Sequence, residues 1–175
     1  MKTQKLFIIT LSLVLTCLFS NTTNAQDIDT NIGGMLAYGT EIENIGIGAN
    51  AEFGIADKIS ISPSFIYYLP KEEGPVKVTW FEFNANVNYY FIQDEQFDVY
   101  GLGGLNYTNV NVKFDTNAFG GFGGNASGSD GRIGLNLGGG ANLKLNGNIT
   151  PFAELKYVII DGGQLVLAAG VRFNL

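Results

Sequence analysis

The side chains of this 175-residue sequence whose types and spacing could do chemistry are six charges set into otherwise uncharged, alternating segments: Glu52, Glu82, Lys144, Glu154, Lys156 and Arg172. Each shares its parity with Gly, Asn and Ser rather than with the Leu, Ile, Val and Phe that alternate with them. Successive side chains of a strand point to opposite faces, so all six project from the polar side of a sheet. Opposite charges enclosed together must pair, because an uncompensated charge held away from water is strongly destabilising. The expected chemistry is therefore electrostatic. It is a lumen charge network of salt bridges, with Glu52 and Glu154 as candidate partners of Arg172, or, as the alternative, the gate of a narrow pore.

Bond-making chemistry has little to work with. The sequence has no histidine, which removes Ser-His-Asp triads, imidazole metal sites and the usual general base. Cys17 is the only cysteine and sits in an N-terminal leader, so the remaining chain has no disulfide, thiolate ligand or cysteine nucleophile. The adjacent carboxylates Glu72 and Glu73 fall in a charged, Pro- and Gly-containing loop and read as solvated surface. The glycine-rich run 117–131 leads into a strand pattern rather than a helix, which argues against a phosphate cradle. No catalytic residue, cofactor or metal is expected, and the chain reads as no enzyme. Phe119 and Phe122 in that glycine-rich run are the candidates for touching a partner from a long loop.

The elements that must position the six charges are strands. Residues 45–55 obey a period of two at every position, with Ile45, Ile47, Ala49, Ala51, Phe53 and Ile55 opposed to Gly46, Gly48, Asn50, Glu52 and Gly54. The same pattern predicts strands over residues 30–39, 59–69, 78–91, 97–112, 132–145, 149–159 and 164–175. Pro63 marks a bulge or a weakened ladder in the third, since proline has no N–H to give. Gly103-Gly104 leaves the facing of the fifth ambiguous. Short turns are expected at 56–58, 92–96 and 146–148, the last through an Asn-Gly pair. The opposite connections, at 40–44, 70–77, 113–131 and 160–163, include both longer loops.

Residues 1–25 have the three parts of a secretory signal peptide: Lys2 and Lys5, an apolar run over 6–18, and Thr23-Asn24-Ala25 before Gln26. The apolar run is too short for a spanning helix. Residues 26–175 then make one domain, with a net charge of about −8 once the two leader lysines are gone, which disfavours nucleic acid as a partner.

Eight hairpin-linked strands, with short turns on the side of the chain termini and longer loops on the other, predict an all-β fold: an eight-stranded antiparallel up-and-down transmembrane β-barrel. The final strand, 164–175, would be an aggregation-prone edge in water and instead closes the barrel on residues 30–39. Aromatic residues are expected in two interfacial bands. Tyr38, Tyr67, Tyr68, Trp80, Phe81, Tyr107 and Tyr157 fall at the loop ends, and Tyr89, Tyr90, Phe91, Phe97, Tyr100, Phe152 and Phe173 at the turn ends. The expected role is structural or one of surface interaction through the external loops, with the lumen filled by polar side chains. The alternatives are a narrow channel for small solutes and, less favoured, a soluble periplasmic ligand-binding barrel.

The leader, the eight alternating strands, the run F-A-E-L-K-Y at Phe152 to Tyr157 and the ending G-V-R-F-N-L at Gly170 to Leu175 together resemble the small outer-membrane β-barrel domain family. The resemblance covers the whole chain after the leader. It implies location in the outer membrane of a Gram-negative bacterium after signal-peptide cleavage, contact with outer-membrane lipid, and a single copy as the working unit. It also implies a C-terminal strand read by the barrel-assembly machinery, with Gly170, Phe173 and Leu175 as the assembly signal. The family usually ends that strand in an aromatic ring; this chain ends in Leu175, two residues after Phe173.

Overall fold

Alternation of apolar and polar side chains is what a strand needs when its two faces meet different media. Each alternating segment is a strand in the computed structural model, which describes residues 30–114, 126–145 and 147–175. The expected leader with Cys17, the loop candidates Phe119 and Phe122, and Asn146 of the Asn-Gly turn lie outside the described residues. The eight strands are β1 (Thr30–Gly39), β2 (Asn44–Ala56), β3 (Ile59–Glu73), β4 (Val76–Gln93), β5 (Phe97–Phe114), β6 (Ala126–Leu143), β7 (Ile149–Ile159) and β8 (Gln164–Asn174). They form one closed antiparallel barrel in sequence order. β8 pairs with β1 from Asn31↔Asn174 to Gly39↔Val166, so neither is an edge.

The wall carries the polarity of a membrane barrel rather than of a soluble one. Leu36, Ile47, Leu105, Leu137 and Leu167 all point outward, each more than half exposed, while Asn84, Asn88, Asn106 and Asn136 are buried inside. Backbone groups facing hydrocarbon must find partners within the protein, and closure supplies them. At Pro63 the supply is interrupted. Pairing of β2 with β3 passes from Asn50↔Ser64 directly to Phe53↔Ile61 with no change of register, whereas Pro63 remains opposite Ala85 on its other side. The proline thus weakens one ladder without a bulge. Register shifts occur instead at Gly54/Ala56, Tyr68/Lys71 and Tyr90/Ile92.

β5 resolves the ambiguous facing. Its register against β6 is unbroken from Phe97↔Leu143 to Phe114↔Ala126, so Gly103-Gly104 holds no bulge. Asp98, Tyr100, Leu102, Asn106 and Thr108 consequently point inward. Gly104 also faces in, because a Cβ there would lie 2.5 Å from the Asn86 side-chain oxygen.

Two expected loops are largely strand. Residues 70–77 shrink to a turn at Gly74-Pro75, with Gly74 at a φ of 60°, as β3 runs on to Glu73 and β4 begins at Val76. Of residues 113–131, Lys113 and Phe114 belong to β5 and 126–131 to β6. The alternation was hidden because it inverts. Along the outward parity of β4, Phe83 and Phe81 give way to Thr79 and Lys77, while inward Asn84 and Glu82 give way to Trp80, Val78 and Val76. β5 does the same beyond Tyr107, with Asn109 and Asn111 outward and Val110 and Val112 inward. The outer face passes from lipid to water at that level, so the strands project beyond the membrane there.

The aromatic residues sort by parity as well as by height. Tyr38, Tyr67, Phe81, Tyr107 and Tyr157 form an outward set at the loop end, and Tyr89, Phe91, Phe97 and Phe173 one at the turn end. Tyr68, Tyr90, Tyr100 and Phe152 are buried in the interior, and Trp80 packs inward on the core, so these five leave the expected bands. The three tyrosines turn inward because their hydroxyls have carboxylates to meet there.

Candidate functional site

The barrel interior holds both apolar and polar filling. β1, β3, β7 and β8 contribute apolar filling, including Met35, Ala37, Ile66, Phe152, Val166 and Ala168. β4, β5 and β6 contribute most of the amides, and the paired charges come from β2, β4, β7 and β8. The polar groups can be buried because nearly all of them find partners in one another.

Toward the turn end, Arg172 Nη1 lies 2.7 Å from Glu52 Oε2 and donates to Asn142 Oδ1 at 3.0 Å. The amide orientation that satisfies both groups puts the Asn50 oxygen 2.9 Å from Nε and 3.1 Å from Nη2. The guanidinium also stacks over Phe152, with its carbon 4.0 Å from the ring centre. Glu52 accepts from Ser60 Oγ at 2.5 Å, from Asn88 Nδ2 at 3.3 Å and from the Tyr90 hydroxyl. A planar fork with several donors suits such a crowded site better than an ammonium would.

Toward the loop end, Lys156 Nζ lies 3.1 Å from Glu82 Oε2 and donates to Asn84 Oδ1 at 2.7 Å. Glu82 also accepts from Gln164 Nε2 at 2.7 Å, Tyr68 Oη at 3.1 Å and Asn106 Nδ2 at 3.4 Å. Asn136 Nδ2 bridges Asn84 and Asn86 at 2.9 and 2.8 Å. Charge-assisted bonds of this kind hold the facing strands β3, β4, β5, β7 and β8 in one cluster.

The six charges chosen by parity thus do not form a single network. Glu52 with Arg172 and Glu82 with Lys156 make two separate pairs. Glu154 is half-buried, accepts from Tyr100 Oη at 3.2 Å, and makes no ion pair among the described residues. Lys144 follows the end of β6, is substantially exposed, and pairs with Asp98 at 2.7 Å on the rim. Asp98, Tyr68, Tyr90, Tyr100 and Gln164 were missed as members. The ambiguous facing of β5 hid Asp98, and nothing in a single strand's alternation shows which hydroxyl meets which carboxylate across the lumen.

Each pair closes the floor of a vestibule. Glu52, Tyr90, Asp98, Asn142 and Lys144 border a hollow of about 210 Å³ at the turn end. Glu82, Trp80, Arg132 and Gln164 border one of about 240 Å³ at the loop end. The two share no lining residue. Of the C-terminal trio, Gly170 faces in, so close to β1 that a Cβ would strike the Gly34 backbone. Phe173 faces out, and the Leu175 N–H donates to the Thr30 carbonyl at 3.0 Å. Among the described residues no group of three or more His, Cys, Asp or Glu could hold a metal ion.

Solved structures share this architecture. The N-terminal β-barrel domain of Pseudomonas aeruginosa OprF superposes with a TM-score of 0.65 at 16% identity, covering 84% of this chain and 97% of that one. Ail, the attachment invasion locus protein of Yersinia pestis, gives 0.54 at 20% identity over 83% and 97%. The outer membrane enzyme PagL gives 0.51 at 10% identity over 83% and 99%. At these identities the likeness is one of fold. No curated protein matches the sequence significantly. The model of the outer membrane protein beta-barrel domain matches residues 10–173, and with the closed eight-stranded wall, its apolar exterior and its polar lumen, the chain belongs to that outer-membrane β-barrel family.

Proposed function

We propose that this barrel serves the cell surface as a structural and interaction protein, acting through the sheet that stands beyond its mouth rather than through its lumen. One observation carries this reading. β6 pairs with β5 as far as Phe114↔Ala126, but its pairing with β7 begins only at Leu135↔Ile159, so residues 126–134 have a strand partner on one side alone. A strand edge with unpaired N–H and C=O groups is a template for an extended polypeptide. The projecting end faces outward from the cell and the termini face the periplasm, in keeping with short periplasmic turns and longer external strands.

The remaining assignments follow from residue chemistry. Residues 1–25 are removed on export, and Gly170, Phe173 and Leu175 mark β8 for the assembly machinery. The barrel works as a single copy in lipid and binds no nucleic acid. It is no enzyme: one fold neighbour is an enzyme, but fold does not transmit activity and this sequence has no histidine to act as base. Phe119 and Phe122, in the connection that completes the projecting hairpin, are proposed to touch the partner.

A channel is the competing reading, supported by the two vestibules and opposed by the packed side chains between them. Planar-bilayer recording of the refolded protein separates the two. A silent bilayer is expected, and reproducible single-channel steps would make the lumen the functional part.

A further inference from the structure

We propose that the loop-end vestibule is a binding site for a small alkylammonium group, one with a positively charged amine head and a short apolar stem. This goes beyond surface interaction by the sheet edge and does not rest on it. The hollow of about 240 Å³ has room for such a group, and its wall is apolar where Trp80, Val110, Val158 and Ile160 meet. A tryptophan in that wall favours a cation with little hydration over a neutral molecule.

The polar groups left without a protein donor are acceptors. Gln164 is 6% exposed and lines the hollow. Its amide nitrogen is committed to Glu82 at 2.7 Å and to the Tyr68 hydroxyl at 3.3 Å, which fixes the orientation of the amide. Its oxygen accepts from no described residue and is not among the fully enclosed unpartnered atoms, so it is an acceptor open to the hollow that Gln164 lines. An acceptor in that position is completed by water or by a ligand that brings a donor.

Charge agrees with this polarity. Three carboxylates and one guanidinium border the hollow: Glu41, Glu82, Asp161 and Arg132. Glu82 is balanced by Lys156. Arg132 is turned to Asp130 at 2.7 Å and to the Asp161 carbonyl at 3.3 Å. The side-chain carboxylates of Glu41 and Asp161, both exposed at the rim, make no ion pair among the described residues. Anionic and carboxylate ligands are therefore disfavoured, and an ammonium that reaches Gln164 past the two rim acids is favoured.

Trp80 is the sole tryptophan of the sequence, so its emission reports on this wall and on the adjoining hollow that it borders with Ile42, Val76 and Val78. The refolded full chain in detergent would be titrated with n-hexylammonium chloride, n-hexanol and sodium hexanoate. A saturable emission change is expected for hexylammonium, weaker binding for hexanol and none for hexanoate. Equal responses to all three, or none, would overturn the proposal.

The double variant Glu41→Gln/Asp161→Asn changes only exposed groups and should bind hexylammonium about tenfold more weakly, the worth of one charge-assisted contact. Unchanged affinity would also overturn it. Nα-acetyl-lysine methylamide distinguishes the sources: tighter binding than hexylammonium assigns the site to lysine side chains of a polypeptide, and weaker binding to free amines.

Discussion

The same two strands are amphipathic in opposite senses at two heights. At membrane level β4 turns Ala85, Val87 and Tyr89 outward and Asn84, Asn86 and Asn88 inward, whereas in the projecting sheet it turns Thr79 and Lys77 outward and Trp80, Val78 and Val76 inward. The pairing of β4 with β5 does not change between them, being continuous from Val76↔Phe114 to Tyr90↔Tyr100, and only β3 shifts against β4, at Tyr68/Lys71. What changes is the medium. Lipid outside forces the polar groups in, and water outside lets the apolar ones collapse over the mouth, where the buried Ile42 of the β1–β2 turn joins them. A membrane-level residue is therefore held by the cost of unpaired polarity, and a projecting one by ordinary burial.

That contrast predicts a graded set of outcomes. The largest belongs to the lumen: Arg172→Ala strips Glu52 of its counter-charge and leaves Asn50 and Asn142 without donors, and should cost about 3–5 kcal/mol in equilibrium urea unfolding. A loss near zero would mean that water enters the lumen freely.

Next comes the wall, and it tests the inversion directly. Val87→Arg and Thr79→Arg alter the same face of the same strand, but the first should cost about 2–4 kcal/mol for a cation in hydrocarbon. The second, at a half-buried position on the water-facing side, should cost less than about 1 kcal/mol. Equal costs in lipid vesicles would place the water boundary elsewhere. Detergent micelles alone would blunt the difference.

Smaller effects refine the lumen side. Tyr100→Phe removes the single hydroxyl donated to Glu154 and should cost about 1 kcal/mol. A gain in stability would show that Glu154 finds a better partner. Lys144→Ala, at the exposed rim pair with Asp98, should change unfolding by about 0–1 kcal/mol and more weakly still at high salt.

Much of this molecule was written in alternation. The period of two located all eight strands, and with no spanning-helix pattern and no thiol after residue 25, closure was left as the means to protect the Gln164–Asn174 strand. Parity also chose Glu52, Glu82, Lys156 and Arg172 as interior charges, because period and side are one property of a strand. Height was less legible. The projecting parts of β3 to β6 looked like loops because their polarity is reversed, and reversal resembles the end of a pattern. Tyr68, Tyr90 and Tyr100 looked like interfacial rings because composition gives ring and height but not the partner of the hydroxyl.

The sequence alone thus determined the membrane barrel, its strand count, and which membrane-level residues face in on every strand but β5, since these depend on contrasts between neighbours along one chain. Only the tertiary structure decided that the interior charges split into two pairs, that Glu154 and Lys144 stand apart, and that β6 keeps a free edge. Those depend on the stagger between strands, which sets who meets whom across the lumen and which no single strand encodes.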